Sequence, residues 1–558
     1  MTFQLNDEQR GAVESEAARL TIIAPPGCGK TEVLAHRVAF LIDSLEPGQR
    51  ILALTFTNRA KSNLMDRLRQ TLGVTGTRRY VSVQNFHGHA TGIILSHGRT
   101  LGLNVTEEHL PKTSTLTRAL TQLQSDAKMR GRAAEILAEA KRAPRSDGEV
   151  LEWLGERVDD PAASLALQVE EARQSSGQLH YEDLLRHAQR LLHVDAIAHL
   201  YQRHYGALVV DEFQDMSLQQ LDLAERSCVT SRTFAGDPGQ GIFSWAGALP
   251  AEVERRLVEQ CGEPTELRGS YRSSPQVLEM VARVGAKAGS PALVSANPDA
   301  WPEGGCSARL LFQDRESEAE AIVQLVGAVT SNPAASIGII LRSSWRGEEI
   351  GKALDAASVA VRKWDLAIDD PETMDLIRRT TARLPRGAGL SDAKAACLAE
   401  VAPADVDTRE LVLDAFEVLD QAGQSTVRGA LRMVRVTDPQ LPVGPGAHLL
   451  SAHKGKGQQF DWVVVPGLDQ GHVPDFRAED PASLDEELRV LLVMLSRARH
   501  GVVVTRSLNA RGKKPPHRVW SPKASLWWSD LQGHYQQLDD VLRHCQRLSS
   551  QLVTWVRG

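Results

Sequence analysis

Residues 21–31 read T-I-I-A-P-P-G-C-G-K-T: an apolar run, two glycines flanking Cys28, then Lys30 and Thr31. Gly27 and Gly29 carry no side chains, so the backbone amides here can close around a phosphate. A helix starting at Lys30 would add further amides and a favourable dipole. Lys30 would bring a point charge to the β- and γ-phosphates of a nucleotide, and Thr31 a hydroxyl to Mg²⁺. The pattern is that of a phosphate loop, with Ala24 standing where the strict form has its first glycine. Residues 208–215 read L-V-V-D-E-F-Q-D, an apolar run delivering adjacent carboxylates. Asp211 would hold Mg²⁺, directly or through water, and Glu212 would polarise an attacking water as general base. A Gly-rich turn needs no ligand, and acids at a strand end are common surface features. It is the two together that point to hydrolysis of ATP with Mg²⁺.

Such residues need a scaffold that ends strands beside one another. Residues 20–24, 51–56, 208–210, 233–235, 337–341, 462–465 and 502–505 are short apolar runs rich in Val, Ile and Leu, which predicts buried parallel strands. After Lys30, Val33, Leu34, Val38, Leu41, Ile42 and Leu45 recur at helical spacing. The layout is α/β, with chemistry expected at the carboxyl ends of the strands. Residues 88–200 and 361–440 read as helical, strand signals in the second being sparse, and are taken as insertions into two α/β units. The expected divisions are 1–87 and 201–268 for a first unit with the helical insertion 88–200 between them. A second unit takes 269–360 and 441–510 with the small helical insertion 361–440, and a tail covers 511–558. The tail holds Pro515-Pro516 and Trp527-Trp528 and reads as a helix packing back onto the body, an interaction tail being the alternative.

The 558 residues are 42% hydrophobic and 24% charged, the composition of a globular chain with room for several cores. Six scattered cysteines form no C-x-x-C pair and no Cys/His cluster, so neither a zinc ribbon nor an iron–sulfur cluster is suggested, and they read as reduced thiols. Neither a signal peptide nor an apolar run of membrane-spanning length is present, so the expectation is a cytoplasmic protein with no membrane partner. The net charge of −6 leaves nucleic-acid binding to local cations. Three basic clusters exist, Lys128/Arg130/Arg132, Lys141/Arg142/Arg145 and Arg511/Lys513/Lys514/Arg518, each reading first as a solvated face.

Nine motifs in order resemble those of superfamily 1 DNA helicases of the UvrD/Rep family, and the resemblance spans almost the whole chain. Residues 5–9 (L-N-D-E-Q) are similar to the family's glutamine motif, in which Gln9 reads adenine. The phosphate loop follows. Residues 55–60 (T-F-T-N-R-A) and 85–87 (N-F-H) resemble its first DNA-contacting motifs, and 211–215 (D-E-F-Q-D) its Walker B. Residues 236–248 are similar to motif III, 270–273 (S-Y-R-S) to motif IV, 451–460 to motif V and 492–499 to motif VI. The resemblance implies two RecA-like parallel-sheet domains with helical insertions and ATP between them. It implies that Tyr271 stacks on adenine, that Gln459 lies near the ribose, and that Arg272 and Arg497 reach the γ-phosphate as arginine fingers. Gln240 would link the γ-phosphate to the DNA-side loop, and Arg37, one helical face on from the phosphate loop, would line the nucleotide pocket. For single-stranded DNA the candidates are Phe56, Phe243 and Trp245 as stacking platforms, with Asn58, His87 and His453 on the strand.

Three departures stand out. Motif III usually has Arg where this chain has Ala246, motif V usually ends in Glu where it has Gln459, and the insertion at 361–440 is shorter than is usual. The expectation is an ATP-driven translocase or helicase on single-stranded DNA, moving 3′ to 5′ as the resemblance implies. The alternative is a DNA-dependent ATPase sensor or regulatory subunit that works with a protein partner such as a nuclease in defence or repair. A small-molecule P-loop kinase would use no distant arginine pair.

Overall fold

The computed structural model describes residues 4–111, 115–124, 126–244, 247–368, 371–401, 406–422, 424–436, 443–511 and 519–550. The chain divides into two compact units, 1–24 with 29–267 and 25–28 with 268–558.

The first unit begins with α1 (Asp7–Val13), β1 (Arg19–Ile23), α2 (Lys30–Ile42), β2 (Arg50–Thr55), α3 (Asn58–Tyr80), β3 (Val81–Asn85) and α4 (Phe86–His97). Helices α5 (Thr115–Leu123), α6 (Ala127–Lys141), α7 (Asp147–Gly155), α8 (Pro161–Ser176), α9 (Tyr181–Leu192) and α10 (Asp195–His204) follow. The chain then returns through β4 (Tyr205–Asp211), α11 (Leu218–Ser227), β5 (Ser231–Gly236), α12 (Pro250–Cys261) and β6 (Thr265–Glu266). The sheet order is β3-β2-β4-β5-β1-β6, all pairs parallel. Every residue of β4 is buried, as a strand covered on both faces requires. Because the strands are parallel, the ends of β1, β2, β3, β4 and β5 share one edge, where the loops of chemical interest begin.

The helical stretch is not one insertion. From α4, α9 and α10, residues such as Ile93, Leu184, Leu191 and Ile197 bury into the sheet's own core with Leu208 and Phe234. A separate core formed by Leu120, Ile136, Leu137, Val150, Leu154 and Val169 belongs to α5–α8 alone. The self-contained insertion is thus shorter than the expected 88–200.

The second unit starts with β7 (Gly269–Ser270), α13 (Pro275–Gly285), β8 (Val294–Ser295), β9 (Cys306–Asp314), α14 (Arg315–Thr330), β10 (Ser336–Leu341), α15 (Ser344–Ala356) and β11 (Val361–Ile368). Next come α16 (Pro371–Arg383), α17 (Leu390–Glu400), α18 (Val406–Gln421), α19 (Val427–Met433) and β12 (Val434–Val436). It ends with β13 (Gly446–Ser451), α20 (Ala452–Gly455), β14 (Phe460–Val465), α21 (Pro481–Leu495), β15 (Ala498–Arg511), β16 (Val519–Trp520) and α22 (Leu538–Ser550). Its main sheet runs β12-β11-β13-β10-β14-β15-β16, with β9 also on β15, and only the β15–β16 pair is antiparallel. The expectation of sparse strand in 361–440 is corrected here: β11 and β12 join the sheet, and the helical part, α16–α19, has its own core of Met374, Ile377, Val412, Phe416 and Leu419. The tail does return: Val541 and Cys545 of α22 bury with Leu325 and Val503.

All six cysteines are free thiols, five of them buried. Among the described residues no helix is long and apolar enough to cross a membrane.

Candidate nucleotide site and strand-contacting loops

β1 ends at Ile23, and Ala24 N–H then bonds Gly236 O at 2.8 Å, tying the phosphate loop to the end of β5. Gly27 (φ +90°) and Gly29 (φ +77°) adopt left-handed backbone, as a loop turning this tightly into a helix demands. Residues 25–28 group with the second unit, where Tyr271 N–H donates to Gly27 O at 2.8 Å and a Cβ at Gly27 would collide with Ser270 and Arg272. Cys28 is buried.

Lys30 and Thr31 open α2. Lys30 Nζ lies 2.8 Å from Asp211 Oδ1 and 2.5 Å from Glu212 Oε2. Burial alone would lower the ammonium pKa, but the Asp211 and Glu212 carboxylates outweigh it and hold Lys30 above its ordinary value. Burial pushes the Asp211 carboxyl up, opposed by Lys30. Glu212 is one of three non-glycine residues at positive φ (+61°) among the described residues. Such strain at the end of a buried strand marks a side chain aimed for a purpose.

Gln214, fully buried, holds that aim. Its Nε2 donates to Glu212 Oε2 at 2.6 Å, and its Oε1 accepts the Asp237 N–H at 3.0 Å. Asp237 in turn accepts Gln240 Nε2 at 2.9 Å and the Gly239 N–H at 3.1 Å. A Cβ at Gly236 would collide with Gln214 and Phe213, so this close packing needs glycine there. One hydrogen-bonded chain therefore runs from Glu212 to Gln240 and into the loop that carries Phe243. The sequence assigned no part to Gln214 or Asp237; their presence inside the two motifs was the only signal.

Gln9 is buried and spends its side-chain carbonyl on the Asn6 N–H at 3.0 Å in a capping box, which fixes the side chain at the start of α1. Arg37 needs correction. It is 1% exposed, and its donors go to Val13 O (2.9 Å), Ser15 O, Ala17 O (3.3 Å) and Thr233 Oγ1 (3.4 Å). With those donors committed, it clamps the α1–β1 connection rather than facing a nucleotide.

On the β2–β3 side of the edge, Phe56 packs partly into the core and meets Phe86 at a centroid distance of 5.1 Å. Asn85 Nδ2 donates to Asn58 Oδ1 at 2.8 Å, joining the first residue of α3 to the end of β3. His87 lies 4.1 Å from the ring of Tyr181, which is 52% exposed at the start of α9. Burial brings the His87 pKa down to about 4, so the ring is neutral near pH 7. Tyr181, ninety-four residues from His87 in sequence, was not found by sequence reasoning because nothing local marks it. Phe243 is half-buried, and Trp245 and Ala246 lie outside the described residues.

In the second unit Tyr271 is exposed and Arg272 half-buried, both in the turn between β7 and α13. Arg497 is buried, its Nε on Val493 O and its Nη2 on Ser496 Oγ, both at 2.9 Å. His453 is half-buried in α20. Gln459 is exposed and the adjacent Gln458 buried.

A phosphate loop, an aimed carboxylate at the end of a parallel strand and a lysine between two acids define a P-loop ATP hydrolase. The UvrD/REP helicase N-terminal domain model matches residues 5–256, and the UvrD-like helicase C-terminal domain model matches residues 439–509. The ATP-dependent DNA helicase UvrD2 of Mycobacterium tuberculosis is 28% identical over 572 residues, covering 92% of this chain and 81% of that one. DNA helicase II of Escherichia coli is 23% identical over 633 residues, covering 92% and 86%. The chain belongs to the UvrD/REP family of helicases.

Proposed function

We propose that the protein uses ATP to translocate 3′ to 5′ on single-stranded DNA, separating duplex ahead of it. The observation that carries this is the chain Glu212–Gln214–Asp237–Gln240, which ties the candidate general base to the loop bearing Phe243. The relatives' printed description, ATP-dependent DNA helicase, supports it.

Lys30 neutralises β- and γ-phosphate charge, and Glu212 takes a proton from the attacking water. Asp211 and Thr31 are the residues that would hold Mg²⁺: a buried carboxylate at a strand end and a hydroxyl at a helix start suit a hard cation. Bound there, the ion would neutralise phosphate charge. Gln9 reads adenine, Tyr271 stacks on it, Gln459 approaches the ribose, and Arg272 and Arg497 supply guanidinium groups to the transferred phosphoryl. Bonds from its Nε to Val493 O and from its Nη2 to Ser496 Oγ hold the Arg497 side chain in place. Phe56, Phe243 and Trp245 grip bases without reading sequence, with Asn58, His87 and His453 on the strand.

The test compares ATPase rates with single-stranded DNA, duplex DNA and RNA. Single-stranded DNA should stimulate most, while Lys30→Ala and Glu212→Gln should abolish turnover and keep strand binding. A rate indifferent to nucleic acid, or turnover retained in both variants, refutes the assignment. Partial duplexes with a 3′ or 5′ tail report direction.

A further inference from the structure

We propose that Arg142 is an additional contact to the phosphodiester backbone of the bound strand, delivered to the 236–248 loop by the insertion helix α6. The inference rests on the strand-binding reading above. Arg142 caps the C-terminal end of α6 and is exposed. Its guanidinium lies against Gly247: a Cβ there would fall 2.8 Å from Nε, 3.0 Å from Cζ and 3.2 Å from Nη2. Gly247 has φ +91°, so both its backbone and its neighbour require glycine.

The backbone that presents Arg142 is anchored by the preceding residue. Lys141 is fully buried, with Nζ at 2.6 Å from Glu170 and 2.9 Å from Asp183, and its carbonyl accepts Gln219 Nε2 at 3.2 Å. This corrects the expectation that Lys141, Arg142 and Arg145 form one solvated face. Arg145 is also committed, donating to Ala140 O at 2.8 Å and lying over Trp153. Arg132 faces Glu135 at 3.6 Å, and Arg157 bonds Trp153 O at 2.7 Å. Among the described residues Arg142 has neither a carboxylate within ion-pairing distance nor a side-chain hydrogen bond. The buried Glu182 carboxyl feels the Arg142 charge but makes no ion pair with it, so an exposed guanidinium set on the loop between Gln240 and the end of motif III keeps its donors for an external anion. Its planar fork suits phosphate oxygens. In a chain of net charge −6, attraction for a polyanion must come from such local cations.

Each strand phosphate neutralised releases condensed counterions, so one contact contributes about 0.7 to the slope of log affinity against log salt. Binding of a labelled oligothymidylate is to be titrated across salt for the wild type, Arg142→Gln, Arg142→Lys and Arg132→Gln. Arg142→Gln should bind roughly fivefold more weakly at low salt with a slope shallower by about 0.7. Arg142→Lys should keep the slope, and Arg132→Gln should match the wild type. An unchanged slope in Arg142→Gln, or an equal drop in Arg132→Gln, overturns the assignment while leaving strand binding intact. Failure of the wild type to bind removes the strand-binding reading as well.

Discussion

Glu212 is poised by three things at once: a left-handed backbone, the Lys30 ammonium and the Gln214 amide. Removing the amide leaves the buried Asp237 N–H without its acceptor, which costs about 1–3 kcal/mol, and frees the carboxylate to swing. Gln214→Ala is therefore expected to lower kcat of the strand-stimulated ATPase while moving KM for ATP little. Gln214→Glu should be worse, because it sets a like charge against Glu212. Equal kcat in all three proteins would show that the amide does not position the base. Arg37 makes the opposite case. Arg37→Ala strips donors from three backbone carbonyls and should cost about 2–4 kcal/mol of stability, read as a lower unfolding midpoint, with KM for ATP unaltered in the folded fraction. A raised KM at full stability would return Arg37 to the nucleotide pocket.

Between α6, α8 and α9 lies a buried array of Lys141, Glu170, Arg173, Asp183 and Arg186. Glu170, His180 and Asp183 converge as metal ligands would, but the Lys141 ammonium sits among them, 3.5 Å from His180 Nδ1. Lys141→Ala leaves two facing carboxylates short of a cation and should destabilise by about 3–5 kcal/mol. Denaturant titration and faster proteolysis within α5–α8 measure this; wild-type resistance would argue that the array is dispensable. None of it was legible in the sequence, since Lys141 looks like any lysine beside two arginines and its partners lie 29 and 42 residues away. What was legible followed local rules. Seven apolar runs became strands because parallel strands are buried on both faces, and Gly27 to Thr31 announced their loop because backbone must approach a phosphate. β11 escaped notice because V-R-K-W-D-L-A-I mixes charge into an edge-ward strand. The role of Arg37 was misjudged because helical spacing gives a direction but not the carbonyls waiting there.

Charge at the scale of the whole molecule sets its response to acid. His89, His180, His187, His472 and His500 are each no more than 3% exposed. Burial is the first cause holding their pKa values near 4, 4, 3, 3 and 3. The unfolded chain takes up these protons near pH 6.5 and the folded chain does not, so the unfolded state binds more protons below that point. Stability from these groups is thus fully present above about pH 6.5 and drains as the pH falls towards their folded values. Each costs up to about 1.4 kcal/mol per pH unit within that window. Asp469 opposes them: burial pushes its carboxyl to about 6, so acid from pH 6 to its ordinary range favours the folded state. Glu182 and Asp211, also raised by burial, act with Asp469, while His87, lowered to about 4 by burial, acts with the five; six imidazoles against three carboxyls leave the balance with the histidines. Three of the five lie in the first unit and two in the second, so both should become less stable. Thermal unfolding midpoints should fall steadily between pH 7.5 and pH 5, with net proton uptake on unfolding. The drop should survive high salt, because desolvation rather than long-range charge causes it. A midpoint flat across that range, or a fall abolished by salt, would mean that these imidazoles are not held neutral by burial.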